Sequence, residues 1–413
     1  MDNSTDLAIV GGGAAGLACA VAAGRLGLRA VVLEKTERCG KKLALAGGKK
    51  GNFTHACGPR EMAERFDCDP RVLVPLLKRF SYQRITGFFR SLGIEHRVDD
   101  DGCVWPVRSD AVGLVRALLA DSLAHGGAVQ TQARVTRLLP GQGVELEGGR
   151  RVDARNVVLA TGGTSYPNTG SSGDAVLLAE SAGLATVAWF PALASLATRD
   201  DLSALAGATQ PKVGMELCID GKPTRRAVGH FIFAHSHVSG SSVLNLCGYA
   251  ARALAEGRSV VLRVDWIPDV SAAALAEEFG RARREHPKRL AVTFINPWMP
   301  RRLAQLLVVR AGTPADRVMA ELTRDEQARL AGALKATDLE IVGTEPIERA
   351  TATGGGVALS EVDFTTMAAR RIAGLYVCGE ALDLWGETGG YNLHFAWSSG
   401  ICAAEAIAGR QLV

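Results

Sequence analysis

The sequence predicts an α/β protein in which a β-rich domain is inserted into a discontinuous Rossmann-like domain. A strand, glycine turn and helix pattern opens the chain at residues 7–34, and another strand and glycine turn follow at residues 374–392. The stretch between them shows short alternating runs and then helical periodicity, which is typical of an insertion and not of a continuing parallel sheet. We therefore expect the two ends of the chain to form one domain.

Composition indicates an ordinary globular protein. The chain has 413 residues, of which 47% are hydrophobic, so it can bury a core large enough for two or three domains. Its formal net charge of +4 neither requires nor excludes an acidic partner such as RNA. Nine cysteines occur without a Cys-x-x-Cys pair, no secretory leader is evident, and no apolar run approaches the roughly 20 residues needed to span a bilayer. We expect a cytoplasmic protein that does not enter a membrane.

The opening motif has the spacing of a dinucleotide-binding turn. A short apolar strand at 7–10 leads into Gly11, Gly13 and Gly16, which serve the tight turn, the approach of a pyrophosphate and helix–strand packing, respectively. An alanine-rich helix is predicted from Ala14 to Leu26, and its N-terminal amides would point at the phosphates. The pattern therefore predicts that this turn binds a dinucleotide.

Acidic residues end two of the predicted strands. Glu34 follows the second strand, about 20 residues downstream of the glycines, where a carboxylate can accept hydrogen bonds from ribose hydroxyls. A third strand runs into Thr161 and Gly162, and a fourth ends at Glu380, where an acid can hold a ribityl or ribose hydroxyl. A helix beginning near Gly390 could direct its amides at a flavin. Together these features favour FAD over NAD as the bound cofactor.

Domain boundaries follow from the change in periodicity. Alternating runs at 212–219, 230–234 and 259–264, separated by glycine turns, predict an antiparallel sheet or barrel. The pattern then becomes helical, and Pro314 is expected to open a later helix. The predicted domains are an FAD domain at 1–190 and 350–413, an inserted β-rich domain at 191–270 and 337–349, and a nested helical subdomain at 271–336.

Several longer motifs resemble the BaiN/RdsA (YhiN-like) family of NAD(P)/FAD-dependent oxidoreductases, over essentially the whole chain. The most specific are Gly379-Glu-Ala-Leu-Asp383 and Thr388-Gly-Gly-Tyr-Asn-Leu-His-Phe-Ala-Trp-Ser-Ser-Gly400. The resemblance implies an enzyme with the discontinuous domain arrangement described above. It also implies that reduction of carbon–carbon double bonds in small molecules, or of a uracil in ribosomal RNA, is the activity of the family.

The chain departs from the family pattern at two places. Relatives carry Gly-Arg-Cys before the asparagine at 52, whereas this chain has Lys49-Lys50-Gly51. Any role for a thiol at that position therefore cannot apply here. In the stretch at 233–240, His237 replaces a glycine of the family pattern, and the proline that follows that stretch is replaced by Ser241.

Site residues are expected from both the motifs and the resemblance. His235 is the first candidate for a proton donor or substrate anchor, because imidazole titrates near neutral pH; a structural loop histidine is the equally weighted alternative. Tyr166 resembles the substrate-facing tyrosine of the family, and a buried structural tyrosine is the alternative. The expected cofactor-binding residues are Gly11, Gly13, Ala14, Ala15, Gly16, Glu34, Lys35, Lys42, Asn52, Thr54, Val135, Thr161, Gly162, Gly379, Glu380, Gly389, Gly390, Tyr391 and Asn392.

The functional hypothesis is an FAD-dependent oxidoreductase that takes hydride from NADH or NADPH and reduces an activated C=C bond of a small molecule or of RNA. No metal site is expected, because no cysteine or acid completes a set with His230, His235 and His237. The basic run at 281–289 is expected to be a solvated helix face, with RNA docking as the alternative. An amine or hydroxy-acid oxidase and a non-catalytic FAD protein that docks on RNA or senses redox state remain the competing hypotheses.

Overall fold

The chain folds into two compact units, which a computed structural model describes over residues 5–412. The first unit contains residues 5–190 and 347–412, and the second contains Pro191–Pro346. The first unit is therefore made of two chain segments separated by the second. Within the second unit, a separate helical subdomain stays a prediction, since the structure groups residues 191–346 together.

The first unit is an α/β fold. Its strands are β1 (Thr5–Val10), β2 (Ala30–Leu33), β3 (Thr54–His55), β4 (His96–Val98), β5 (Cys103–Pro106), β6 (Ala128–Gln130), β7 (Val135–Leu139), β8 (Gly143–Leu146), β9 (Arg151–Leu159), β10 (Thr186–Pro191), β17 (Thr353–Val357), β18 (Val362–Asp363), β19 (Ala368–Ala369) and β20 (Leu375–Val377). Its helices are α1 (Ala14–Arg25), α2 (Pro59–Ala63), α3 (Pro70–Arg79), α4 (Tyr82–Ser91), α5 (Ala111–Ala124), α6 (Asp174–Ser181) and α12 (Tyr391–Ala408).

A parallel core of strands joins the two segments of this unit. The main sheet has the order β18-β19-β20-β9-β1-β2-β6, with the β7–β8 hairpin attached to β9. Strand β1 pairs in parallel with β2 and β9, and β20 of the second segment pairs in parallel with β9 of the first. The carboxyl ends of these strands therefore meet at one edge of the sheet, where ligands bind in open α/β folds. The predicted Rossmann-like α/β fold is confirmed.

The apolar sequence of the central elements explains this arrangement. Neighbouring strands and helices cover β1 and β2, which suits their apolar side chains. Residues 7–10 and 30–32 are accordingly almost fully buried. Helix α1 is buried along nearly its whole length and packs against α12. Small residues make this close packing possible: a Cβ on Gly400 of α12 would lie 2.2 Å from the Ala15 carbonyl oxygen.

The second unit is built on a closed barrel. Its strands are β11 (Leu196–Thr198), β12 (Thr209–Ile219), β13 (Lys222–Phe233), β14 (Val238–Ser239), β15 (Val260–Asp265) and β16 (Thr337–Thr344), joined in the order β11-β14-β13-β12-β15-β16. Its helices are α7 (Ser241–Ala255), α8 (Ala272–Glu285), α9 (Ala291–Ile295), α10 (Arg301–Arg310) and α11 (Arg324–Lys335). Aromatic side chains fill part of the core, with the Phe231 and Trp266 ring centroids 5.2 Å apart.

Two local expectations for this unit are wrong. The stretch before β15 contains the 15-residue helix α7 in addition to strands and turns, because Val243, Leu246, Cys247 and Ala250 recur at helical spacing and are buried on one face. Pro314 does not open a helix. Helix α11 begins ten residues later, where Thr323 and Glu326 form a capping box. Within residues 5–412, no helix has the length and apolar character needed to cross a membrane.

Candidate cofactor site

The glycine turn after β1 has the geometry expected of a phosphate-binding loop. Gly11 has a φ of +107°, and a Cβ there would lie 2.5 Å from the Ala160 carbonyl oxygen. A Cβ on Gly16 would lie 1.9 Å from the Gly11 carbonyl oxygen, so both positions require glycine. Gly13 differs, since a Cβ there would meet nothing within 4 Å. The protein therefore leaves free space above Gly13 at the start of α1, where Ala14 and the following amides begin the helix.

Glu34 forms the next part of the site. The residue is 9% exposed, and its carboxylate accepts hydrogen bonds from the Gly12 amide at 3.0 Å and the Thr36 amide at 2.8 Å. Each carboxylate oxygen thus has one backbone donor and can accept another bond. Glu34 therefore joins the glycine turn to the end of β2 while keeping acceptor capacity for a sugar hydroxyl.

A cavity opens at this end of the sheet within the first unit. Val135 and Leu178 supply apolar parts of its lining, and Lys35 and Asp174 form an ion pair of 2.8 Å at its edge. The cavity is lined by Val10, Gly11, Gly12, Gly13, Leu33, Glu34, Lys35, Gly40, Lys41, Lys42, Ala133, Val135, Ala160, Thr161, Thr169, Gly170, Ser171, Asp174 and Leu178. It thus brings together predicted site residues that lie far apart in the sequence.

A charged network links the two chain segments beside this cavity. The Lys42 ammonium donates to the Glu380 carboxylate at 2.6 Å and to the Ser165 hydroxyl at 2.5 Å. The other carboxylate oxygen of Glu380 accepts from the Thr353 amide at 2.9 Å and its hydroxyl at 3.1 Å. Gly162 lies next to this network, since a Cβ there would be 3.9 Å from the Glu380 carboxylate. Ser165 and Thr353 were not among the predicted site residues.

The second glycine turn lies at the start of α12. Gly389 and Gly390 have φ values of +117° and +97°, and Gly379 at the end of β20 has +64°. A Cβ on Gly390 would lie 2.1 Å from the side-chain oxygen of Asn52. That oxygen is buried and has no hydrogen-bond partner within the described residues. Thr161 also has a buried hydroxyl without a partner there. Such buried polar atoms call for a partner outside the protein chain.

Three predicted contacts have protein partners. The Asn392 amide bonds both the amide and the carbonyl of Gly386 at 2.8 Å, so it holds the preceding turn. The Thr54 hydroxyl bonds His394 at 2.7 Å. The Tyr391 ring stacks on His55 with centroids 4.7 Å apart, and burial raises the pKa of its phenol. Contacts of these three side chains with a cofactor stay predictions.

The two proposed catalytic residues lie in different units. Tyr166 is in the first unit, half-buried with a φ of +52°, and its amide donates to the Glu348 carbonyl at 2.9 Å. His235 is in the second unit, where it is exposed in the turn between β13 and β14. Its catalytic role stays a prediction.

The nine cysteines are free thiols, and no group of three or more His, Cys, Asp or Glu side chains in residues 5–412 could hold a metal ion.

Comparison with known proteins identifies the family. The model described as HI0933-like protein Rossmann domain matches residues 5–406. The chain belongs to this family. It is 30% identical to the 3-dehydro-bile acid delta(4,6)-reductase of Clostridium scindens over 98% of this chain and 99% of the relative. It is 28% identical to the ribosomal RNA dihydrouridine synthase of Escherichia coli over 98% of both chains. The resemblance inferred from the motifs is therefore confirmed, and the chain is an oxidoreductase.

A solved structure supports the fold. The 3-ketosteroid delta1-dehydrogenase of Sterolibacterium denitrificans matches with a TM-score of 0.54 and 13% identity, over 98% of this chain and all of that one. The family is one of FAD-binding oxidoreductases, and the residues of this chain fit that cofactor. The open space at Gly13 and the acceptor at Glu34 suit a dinucleotide, and the buried oxygens of Asn52 and Thr161 lack protein partners.

Proposed function

We propose that this protein uses FAD to transfer hydride from NADH or NADPH to an activated C=C bond of a small molecule. The observation that carries the proposal is the cavity at the carboxyl ends of the parallel strands, where Gly13, Glu34 and the Lys42–Glu380 pair come together. Its strongest support from comparison is the named activity of two relatives, since a delta(4,6)-reductase and a dihydrouridine synthase both saturate a conjugated C=C bond.

Each end of the site has a defined task under this proposal. The amides at the start of α1 would hold the pyrophosphate, and Glu34 would accept the ribose hydroxyls of the adenosine. Lys42 holds a positive charge beside Glu380, and the N-terminal amides of α12 would be the donors available to the polar edge of a flavin ring. When bound, FAD supplies the hydride chemistry, and the protein supplies orientation and charge.

Proton delivery is assigned to His235, with Tyr166 as a substrate anchor. A histidine in an exposed turn can exchange protons with solvent, which suits a donor that must be recharged at each turnover. His235→Ala should slow oxidation of the reduced flavin by the acceptor and leave flavin reduction by the nicotinamide nearly unchanged. Equal losses in both half-reactions would remove His235 from this role.

A small-molecule acceptor is favoured over RNA because several arginines of the basic helical region are already bonded to other groups of the protein. Arg281 is paired with Glu278 at 2.5 Å, and Arg283 donates to the Leu322 carbonyl. Arg302 donates to the Ala204 carbonyl at 3.0 Å. Arginines engaged in this way have less capacity to neutralise RNA phosphates. RNA stays the second candidate because the E. coli relative is named for it and Arg284, Lys288 and Arg301 are exposed.

An anaerobic titration tests the proposal. The purified protein with bound FAD is titrated with NADH and with NADPH while the absorbance of the oxidised flavin is followed. Bleaching by either nucleotide, followed by recovery on addition of a conjugated enone, supports the proposal, whereas recovery with a uridine-containing RNA supports the second candidate. Bound FAD that neither nucleotide reduces would refute it, and rapid oxidation by oxygen with peroxide release would indicate an oxidase.

A further inference from the structure

Three exposed cations lie on two neighbouring loops, one of which continues into the cofactor site. Lys49, Lys50 and Arg108 are exposed, and their side chains form no ion pair or hydrogen bond within residues 5–412. The two loops that carry them are joined, because the Ala111 amide donates to the Lys49 carbonyl at 3.1 Å. We refer to Lys49, Lys50 and Arg108 as the cationic patch.

The backbone under the cationic patch is held in an unusual conformation. Lys49 has a φ of +73° and Arg108 a φ of +57°, and both values lie in the left-handed region that disfavours residues with a side chain. Such strained positions concentrate at ligand-binding sites. Gly51 also has a positive φ and packs against Ala111, where a Cβ would lie 3.0 Å from the amide nitrogen. The chain therefore fixes these loops in place at some energetic cost.

The cationic patch adjoins the cofactor site through one continuous segment. Lys42 begins this segment and bonds Glu380, and Asn52 ends it against the glycine turn at Gly390. Lys49 and Lys50 lie between these two residues. The segment that carries Lys49 and Lys50 is therefore anchored in the cofactor site at both of its ends.

The chemistry of the cationic patch favours a phosphate monoester. The nearby acid, Asp110, accepts the Gly113 amide at 2.8 Å to cap α5, and it forms no ion pair with the patch. A phosphate monoester carries a charge of about −1.5 to −2 at neutral pH and accepts several charge-assisted hydrogen bonds. Beside the cations, Leu45 and Val112 are 38% and 36% exposed, which gives an apolar surface for a base.

We infer that the hydride donor is NADPH and that Lys49, Lys50 and Arg108 bind its 2′-phosphate. NADH lacks this group, so the cationic patch would discriminate between the two nucleotides. The glycine turn at Gly13 does not serve the donor, because it is assigned to FAD. This inference rests on the proposed function.

Charge reversal in the cationic patch tests the inference. The Kd values of NADPH and NADH for flavin reduction are measured with the FAD-loaded protein and with the Lys49→Glu/Lys50→Glu variant. Preference for NADPH should fall by about 10- to 100-fold, and the ratio of 2′,5′-ADP to 5′-AMP affinity should fall equally. Lys78→Glu, an exposed lysine near the end of α3, is the matched control and should keep both ratios. Lys50→Ala and Arg108→Ala provide milder variants should the double variant fold poorly.

The outcomes separate the inference from the proposed function. An unchanged ratio in a variant that retains FAD and its melting temperature would overturn the inference. So would weaker binding of an RNA oligonucleotide with an unchanged ratio, which would make the cationic patch an RNA surface. Flavin that neither nucleotide reduces would refute the proposed function. In that case, selective binding of 2′,5′-ADP over 5′-AMP, lost in the variant, would still establish the phosphate site.

Discussion

The two chain segments of the first unit build their parts of the cofactor site in different ways. In the first segment, the glycine turn is joined to Glu34 by a bond from the Gly12 amide to the Glu34 carboxylate that spans only 22 residues. In the second segment, Glu380 bonds Lys42 across 338 residues, and His394 bonds Thr54 across 340. The bond between the turn and its acid is thus short-range in the sequence, whereas the second segment is positioned by long-range bonds to the first. We call the glycine turn with Glu34 the local part of the site, and the second segment with its bonds to the first the long-range part.

The largest loss of FAD affinity is expected from a substitution in the glycine turn of the local part. Gly13→Val should weaken FAD binding by at least about 1,000-fold, roughly 4 kcal/mol, because the side chain would fill the space for the pyrophosphate. The protein itself should fold, since a Cβ at Gly13 meets no protein atom within 4 Å. Retention of FAD through gel filtration measures this. Gly87→Val, in similarly open surroundings on α4, should retain the flavin; a flavin-loaded Gly13→Val protein would contradict the assignment of this turn.

A smaller loss is expected at Glu34. Replacement by Gln would set an amide nitrogen against either the Gly12 or the Thr36 amide, both of which now donate to the carboxylate. The ribose also loses a charged acceptor whose hydrogen bonds are worth about 1.5–3 kcal/mol, so the Kd of FAD should rise about 10- to 100-fold. Fluorescence titration of the flavin-free protein measures the Kd. Glu37→Gln, a nearby acid that is exposed, should leave it unchanged; equal effects of the two variants would show that Glu34 has no specific role.

The sequence predicted the residues and the turn of the local part, but it predicted the long-range part only as a strand, an acid and a glycine turn. The spacing of Gly11, Gly13 and Gly16 predicts the turn because the close approach of Gly16 to the Gly11 carbonyl lies within the motif itself, so pattern and structure agree. The start of α12 at Gly390 was also predicted, because the glycine turn marks it. Periodicity carries no information on the partner of a lysine such as Lys42, and so the bond to Glu380 became visible only in the folded chain. Helix α7 was missed for a simpler reason, because glycines beside the predicted strands were interpreted as turns.

Low pH should destabilise the long-range part by protonating His394, which bonds Thr54 of the first segment. Its Nε2 donates to the Phe80 carbonyl at 2.9 Å, so its Nδ1 accepts from the Thr54 hydroxyl. Burial lowers the pKa of His394 from 6.5 to about 4. The unfolded chain therefore binds this proton first, and the stabilisation present above pH 6.5 is lost as the pH falls towards 4. Between pH 7 and pH 5 the free energy of unfolding should drop by about 2 kcal/mol on this account.

Urea unfolding at several pH values measures this loss. His394→Gln should be less stable at pH 7 and should show a flatter dependence between pH 7 and pH 5. His125→Gln serves as the control, because that histidine is exposed at the end of α5. A His394→Gln protein with the same slope as the parent would show that other groups govern the acid response.

The smallest effect is expected from the ion pair that joins the two segments. Glu380→Gln can still accept from Thr353 while it loses the charge that faces Lys42, and Lys42→Met removes the cation. Both side chains are about one quarter exposed, so solvent screens the pair, and a coupling of about 1 kcal/mol in FAD binding is expected. The Kd of FAD for the parent, both single variants and the double variant gives this coupling directly. Additive effects would show that Lys42 and Glu380 contact the cofactor independently, and the second segment would then owe its position to the Thr54–His394 bond and to core packing instead.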